Sequence, residues 1–189
     1  MNRRPCASRR RGVTARRRNR LSRLHHARLC NEDLDETDLL MMDRAVILAM
    51  EAARDNEVPV GAVIYNQDGI IAEAANNREA SGDPSGHAEV VAIRRAGRKL
   101  DRWRLSDCSL AVTLEPCPMC AGALVNARLG RVIYGVDDPK AGACRTLYSI
   151  TDDSRLNHRV RVSGPVQEQQ CRQLLRGFFR DRRRNRILP

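Results

Sequence analysis

The feature that most constrains this chain is a set of three metal-ligand residues in two separate segments. His87 stands in His87-Ala88-Glu89, and Cys117 and Cys120 stand in Pro116-Cys117-Pro118-Met119-Cys120. Cysteines three residues apart meet on one helical turn, but His87 has to be delivered to them by the fold. A chain that unites them offers one imidazole and two thiolates, which leaves the fourth position of a tetrahedral zinc open for water. Two thiolates offset the charge of Zn²⁺, and a water so placed becomes acidic enough to attack near neutral pH. Glu89 is close to that centre without being needed as a ligand. Its carboxylate is suited to take the water's proton and pass it to a substrate nitrogen.

Each half of this pattern is weak alone, since Cys-x-x-Cys also serves structural zinc sites and redox pairs. Together, with proline directly before the first cysteine, they match the signature of zinc nucleobase deaminases. The plain alternative is two core cysteines and an unrelated histidine. A closed structural site would need a fourth ligand; His158, Cys108, Cys144 and Cys171 are available, and none has a ligand's spacing.

The chain has 189 residues, enough for one domain with a sizeable core. Its net charge of +11 resembles that of a nucleic-acid binder, but the excess is local. Residues 1–30 hold 11 Arg and no acid, while the rest holds 23 basic against 23 acidic residues. We divide the chain into a basic arm, 1–36, that reads as disordered, and a zinc-dependent deaminase domain, 37–189. The arm admits three readings: a dispensable extension, with Met41 or Met42 as alternative starts; a basic tail with nonspecific affinity for nucleic acid; or an organelle transit peptide, though serine is scarce. Its Cys6, His25, His26 and Cys30 offer metal donors, but adjacent histidines in such an arm are ordinarily just solvated. No secretory h-region and no apolar stretch of membrane-spanning length is present, so a reducing, cytoplasmic setting without disulfides or membrane contact is expected.

Periodicity predicts an α/β domain. Asp38 is expected to cap a helix burying Leu39, Met42, Val46, Ala49 and Ala53. Strands are expected over 58–65, 70–75, 109–114, 131–135 and 160–162, the first two forming a hairpin. A helix opening at His87 is expected to carry Val90, Ile93, Gly97 and Leu100 on one face. Another follows Pro116, and a closing helix over 166–182 is expected to bury Cys171, Leu174, Leu175 and Phe178. The implied architecture is a three-layer α/β/α sandwich with a mixed five-stranded sheet. Both ligand segments then fall at helix N-termini, beside the C-terminal ends of strands, where the dipole favours thiolate.

From about Met42 to Arg184 the sequence resembles the bacterial tRNA-specific adenosine deaminases, of the cytidine/deoxycytidylate deaminase superfamily. The resemblance rests on Glu57-Val58-Pro59-Val60-Gly61-Ala62-Val63, Asn76, His87-Ala88-Glu89 and the run from Thr113 to Ala123. It continues through Asp138, Lys140, Gly142 and Ala143, then Leu156-Asn157-His158-Arg159 and Phe178-Phe179-Arg180. The zinc motif marks the superfamily and the later blocks mark the tRNA branch.

This resemblance implies a cytidine-deaminase-like fold, a homodimer and one Zn²⁺ per subunit held by His87, Cys117 and Cys120. It implies an anticodon stem-loop of tRNA as substrate, with the wobble adenosine at position 34 flipped into the pocket and deaminated to inosine. Glu89 would shuttle the proton, Asn76 would hydrogen-bond the adenine, and Val58, Ala88 and Leu114 would line the pocket. RNA contacts would come from Asp138, Lys140, Asn157, Phe179 and Arg180, with Asn157 and His158 holding the loop together as the alternative. Two departures stand out: the Arg-rich arm, and Arg145-Thr146 where the family commonly has Gly-Ser. Arg172, Arg176, Arg180, Arg182, Arg183, Arg184 and Arg186 against Asp181 give the C-terminus a positive end suited to an RNA backbone. Rival readings are a deaminase of a free base or nucleotide of cytosine or guanine type, a non-catalytic zinc-containing RNA-binding module, and an editor of DNA or mRNA. Glu89 argues against the silent module, which has no use for that carboxylate.

Overall fold

In a computed structural model of the protein, residues 34–185 are described. Nearly all of the expected arm, with Cys6, His25, His26 and Cys30, lies outside the described residues, as does Arg186. The first helix, α1 (Glu36–Arg54), begins one turn earlier than expected. Its cap is Asp35, whose side chain accepts from the Asp38 amide at 2.8 Å while Asp38 accepts from the Asp35 amide at 3.1 Å, a reciprocal capping box. Asp38 is fully buried instead, and its carboxylate accepts from the Tyr65 hydroxyl and the Arg131 guanidinium.

α1 buries Met42, Ala45, Val46, Leu48, Ala49 and Ala52, so the expected face is rotated; Leu39 is 43% exposed. The reason is close packing. A Cβ at Gly61 would overlap the backbone of Ala45 and lie 2.8 Å from the Ala49 amide, so the helix rests directly on the strand. Small residues rather than large ones therefore mark the contact, which a reading weighted toward bulky side chains misses.

The strands are β1 (Gly61–Asn66), β2 (Gly69–Ala75), β3 (Ser109–Leu114), β4 (Arg131–Val136) and β5 (Arg161–Ser163). β1 starts later than expected, since Val58 to Val60 form a tight turn with the Val60 amide on the Val58 carbonyl at 2.8 Å. The sheet order is β2-β1-β3-β4-β5; β1 is antiparallel to both neighbours, and β3, β4 and β5 are parallel. Period-two alternation splits the core. Ala62, Ile64, Leu110, Val112, Val132 and Tyr134 face one side, and Val63, Tyr65, Ala111 and Ile133 the other.

A short helix α2 (Arg78–Ser81) lies in the loop before His87, followed by α3 (Ala88–Lys99) and α4 (Pro118–Asn126) on the first face. α1 and α5 (Glu168–Asn185) cover the second. The result is the expected three-layer α/β/α sandwich with a mixed five-stranded sheet. Two helix faces differ from expectation. α3 buries Ala88, Glu89, Val91, Ala92 and Ala96, leaving Val90, Ile93, Gly97 and Leu100 on its half-exposed shoulder. α5 buries only Cys171 fully, with Leu174, Leu175 and Phe178 half-buried, because it covers a sheet already largely covered by α1.

This topology gathers the chemistry at one edge of the sheet. The C-terminal ends of β2, β3 and β4 meet the N-terminal end of β1 there, and α1, which leads into β1, ends there too. α5 starts beside the first half of α1, with Gln167 Nε2 donating to Asp43 at 2.7 Å. It then runs alongside α1, so that Arg182 reaches Glu79 of α2 at 3.3 Å.

Candidate active site

His87 and Cys117 are the N-cap residues of α3 and α4, both with extended backbone, and neither side chain caps its own helix. Both are therefore free to turn toward a shared point. Pro118 occupies the first helical position, where its missing N–H costs nothing, and Cys120 follows in the same turn. The Sγ atoms of Cys117 and Cys120 are 3.6 Å apart; His87 Nδ1 is 3.6 Å from Cys117 Sγ and 3.4 Å from Cys120 Sγ. Tetrahedral zinc at ordinary bond lengths requires about 3.8 Å between two sulfurs and about 3.6 Å between sulfur and nitrogen. The triangle fits that ion. His158, Cys108, Cys144 and Cys171 are not part of the cluster; His158 Nε2 is instead 2.7 Å from the Leu129 carbonyl.

The electrostatics fit a cation as well. Contact with Cys120, then with His87, pulls the Cys117 thiol down to about 4, whereas Cys117 and burial push Cys120 up. Two adjacent thiolates repel, so a divalent cation is what allows both to ionise. Glu89, in the first turn of α3, is 4% exposed and reaches Cys120. Burial holds its carboxyl above the usual range, the Cys117 charge adds to this, and His87 opposes it. Such a carboxylate can both accept and return a proton.

Comparison with known proteins matches residues 36–183 to the MafB19-like deaminases. A tRNA-specific adenosine deaminase of Bacillus subtilis (strain 168) is 42% identical over 149 residues, covering 79% of this chain and 92% of that protein. This chain is a MafB19-like deaminase of the tRNA-specific adenosine deaminase group. The deaminase also superposes on a solved structure from work on A-to-I editing by tRNA:A34 deaminases at the wobble position of transfer RNA. That likeness has a TM-score of 0.70 and 35% identity, covering 72% of this chain and 99% of the other. A guanine deaminase from Bacillus subtilis is similar over a smaller part, with a TM-score of 0.51 and 42% identity, covering 55% of this chain and 66% of the other.

The remaining residues singled out in the sequence fall into two groups. Asn76 is buried beside the cluster; its amide donates to the Val60 carbonyl at 3.0 Å, and its Oδ1 accepts from the Ala88 amide at 2.9 Å. It thus ties the segment before β1 to the start of α3. Val58 and Leu114 are half-buried and Ala88 fully buried at the same edge of the deaminase. Asp138 and Lys140 follow β4 at that edge, the Lys140 amide donating to Asp138 at 2.8 Å. Phe179 and Arg180 lie exposed on the part of α5 that reaches α2. Asn157 does not join them. Both its oxygens accept from Arg128, which precedes β4 at the opposite edge, an arrangement that matches the loop-holding alternative.

Sequence reading missed Glu115, two residues before Cys117 and 1% exposed. Its Oε1 accepts from the amides of Cys144 (3.2 Å), Arg145 (2.7 Å) and Thr146 (2.9 Å), and its Oε2 from the Asp138 amide (3.1 Å) and the Thr146 hydroxyl. Arg145, one of the departures from the family pattern, turns inward, its guanidinium donating to the Gly164 carbonyl at 2.9 Å. The one available signal was the acid itself, placed between an apolar strand and the ligand turn where a solvated side chain has no room.

Proposed function

We propose that the deaminase converts the wobble adenosine, position 34 of a tRNA anticodon loop, to inosine and ammonia. The observation that carries this reading is the zinc-sized triangle of His87, Cys117 and Cys120 with the buried Glu89 against it. Zinc, one per subunit, would be held by those three side chains and would supply a Lewis acid that makes a bound water acidic. Glu89 takes a proton from the attacking water and delivers it to N1 of adenine as C6 is attacked. It then takes the proton of the new C6 hydroxyl and passes it to the amine, which departs as ammonia while the C6 carbonyl of inosine forms. Asn76 orients the base. Its carbonyl is committed to Ala88, so its NH₂ group is left to donate to an acceptor nitrogen of the purine. Val58, Ala88 and Leu114 form the apolar walls that exclude bulk water.

A polymeric substrate is supported by the basic end of α5, where Arg176, Arg183 and Arg184 are exposed and make no ion pair among the described residues. Asp138, Lys140, Phe179 and Arg180 are our RNA contacts; the holding role is favoured for Asn157. We further propose a homodimer acting in the cytoplasm. Among the described residues no helix is long and apolar enough to cross a membrane. The likeness to a guanine deaminase favours a second reading, hydrolysis of a free base.

One experiment separates them. The zinc-loaded protein is incubated with an adenosine-34 anticodon stem-loop and, separately, with free adenosine, cytidine and guanine. Inosine in the stem-loop is expected. Product from a free base with an unreacted stem-loop would overturn the tRNA reading.

A further inference from the structure

Arg145 is half-buried in the loop that follows β4, and its guanidinium donates to the Gly164 carbonyl at 2.9 Å and the Val162 carbonyl at 3.5 Å. We infer that Arg145 is a positioning residue for RNA binding, clamping the loop of Asp138 and Lys140 to the open edge of the sheet so that Lys140 is presented to a phosphate. The inference rests on the tRNA reading given above, in which Lys140 meets the RNA.

The sheet supplies the first argument. β5 is the last strand, so one of its edges has no neighbouring strand. The Arg161 amide donates to the Gly130 carbonyl at 3.2 Å, which turns the backbone of residue 161 toward β4. Backbone groups alternate along a strand, so the carbonyls of Val162 and Gly164 face the open edge. A planar guanidinium, with several N–H donors in a fixed fork, can serve two such carbonyls at once. Arg145 therefore stands where a further strand would pair, and it covers carbonyls that an edge otherwise leaves open. Its anchor is firm. A Cβ at Gly164 would lie 2.6 Å from the Tyr134 carbonyl, and the Val166 amide donates to that same carbonyl at 3.0 Å, so this stretch is seated directly on β4.

The loop supplies the second. Its inner side is held by Glu115, which accepts from the amides of Asp138, Cys144, Arg145 and Thr146. Arg145 thus has its amide on Glu115 and its side chain on β5, joining an inner tie to an outer one. The far end of the loop also runs beside β5, since the Val160 amide donates to the Thr151 carbonyl at 2.8 Å. Lys140, by contrast, is exposed, and its side chain makes no ion pair among the described residues. A long cation loses freedom when it meets a phosphate. A loop clamped on both sides has given up part of that freedom before binding, which leaves less to lose.

The test follows single-turnover inosine formation in an adenosine-34 stem-loop against enzyme concentration and salt, with the full-length zinc-loaded protein. Arg145→Ala, Lys140→Ala and the double variant are compared with the native chain. Arg145→Ala keeps the backbone amide that donates to Glu115, and thermal unfolding checks that the variant is folded. It is expected to raise the half-saturating concentration about three- to ten-fold, the scale of ordering one long side chain. The rate at saturation should stay native, because His87, Cys117, Cys120 and Glu89 lie on other elements. The salt dependence should stay native too, since Arg145 makes no phosphate contact of its own. In the Lys140→Ala background the same substitution is expected to cost less than about two-fold, the signature of two residues acting through one contact. A penalty of full size in that background would overturn the inference, and a slope lowered by about 0.7 to 0.9 in log K against log salt would make Arg145 a direct phosphate contact instead. An unchanged half-saturating concentration, or a fall in the saturated rate, would also overturn it while leaving wobble deamination standing. A native protein that does not deaminate the intact stem-loop would remove both.

Discussion

Glu115 and Gly142 are in such close contact that no side chain fits at position 142: a Cβ there would overlap the Glu115 carboxylate and lie 2.7 Å from the Asp138 carbonyl. The segment that leads to Cys117 and the loop that carries Asp138 and Lys140 are thereby locked together. Gly142→Ala is expected to cost about 1–3 kcal/mol through overpacking. Glu115→Gln puts a donor where the Asp138 amide needs an acceptor, with a loss of about 1–3 kcal/mol. Thermal unfolding measures both losses, and amide exchange should show them concentrated in residues 138–146. Uniform exchange across the domain would refute the lock.

Glu89→Ala should keep the metal and lose deamination by a factor of about 10² to 10⁴ or more, because the carboxylate is assigned to proton transfer alone. Metal content measured beside the rate decides this. Loss of zinc in the variant would move Glu89 into the ligand set.

Cys117→Ser or Cys120→Ser should lower zinc occupancy and melting temperature together, and a chelator should do the same to the native protein, since part of the metal affinity is folding free energy. A variant carrying both changes that kept full zinc would refute the ligand assignment.

Asp38→Ala should destabilise the fold by about 3–5 kcal/mol, the scale of breaking a buried ion pair, because it removes the buried carboxylate that accepts from the Arg131 guanidinium and the Tyr65 hydroxyl. Denaturant titration reads the loss. Asp38 joins the C-terminal end of β1 to the start of β4, at the sheet edge opposite the metal cluster. The rate of the folded fraction should therefore be unaffected, and a large fall in that rate would contradict this separation.

Deleting residues 1–33, which retains the Asp35 cap, should weaken RNA binding and flatten its salt dependence by about 0.7 to 0.9 in log K against log salt for each phosphate that the arm neutralises. The single-turnover rate at saturating enzyme should not change. Equal affinity at low salt would favour the dispensable-extension reading. A large drop in the saturated rate would show that the arm contributes to the chemistry.

The ligand set was legible in the sequence because metal chemistry demands particular donors at particular spacings, and the strands were legible as short apolar runs between turn residues. Helix faces were less legible. Ala45, Ala52, Ala92 and Ala96 mark where α1 and α3 press on the sheet, yet alanine carries little weight in a hydrophobic pattern. Asp38 looked like a cap because aspartate usually is one at a helix start, whereas its partners Tyr65 and Arg131 are far along the chain and invisible to local pattern. The same non-locality hid Glu115, whose donors lie 23 to 31 residues downstream.

The two thiols three residues apart come together as soon as one helical turn forms, while the imidazole is 30 residues upstream of the first of them. Chain entropy makes the short closure cheap and the long one costlier, so the cysteine pair is the natural first landing place for the ion during folding. An ion caught there becomes a tether that rewards arrival of His87, and with it docking of α3 against α4. Growth medium depleted of zinc should therefore lower the yield of folded protein, not only its activity.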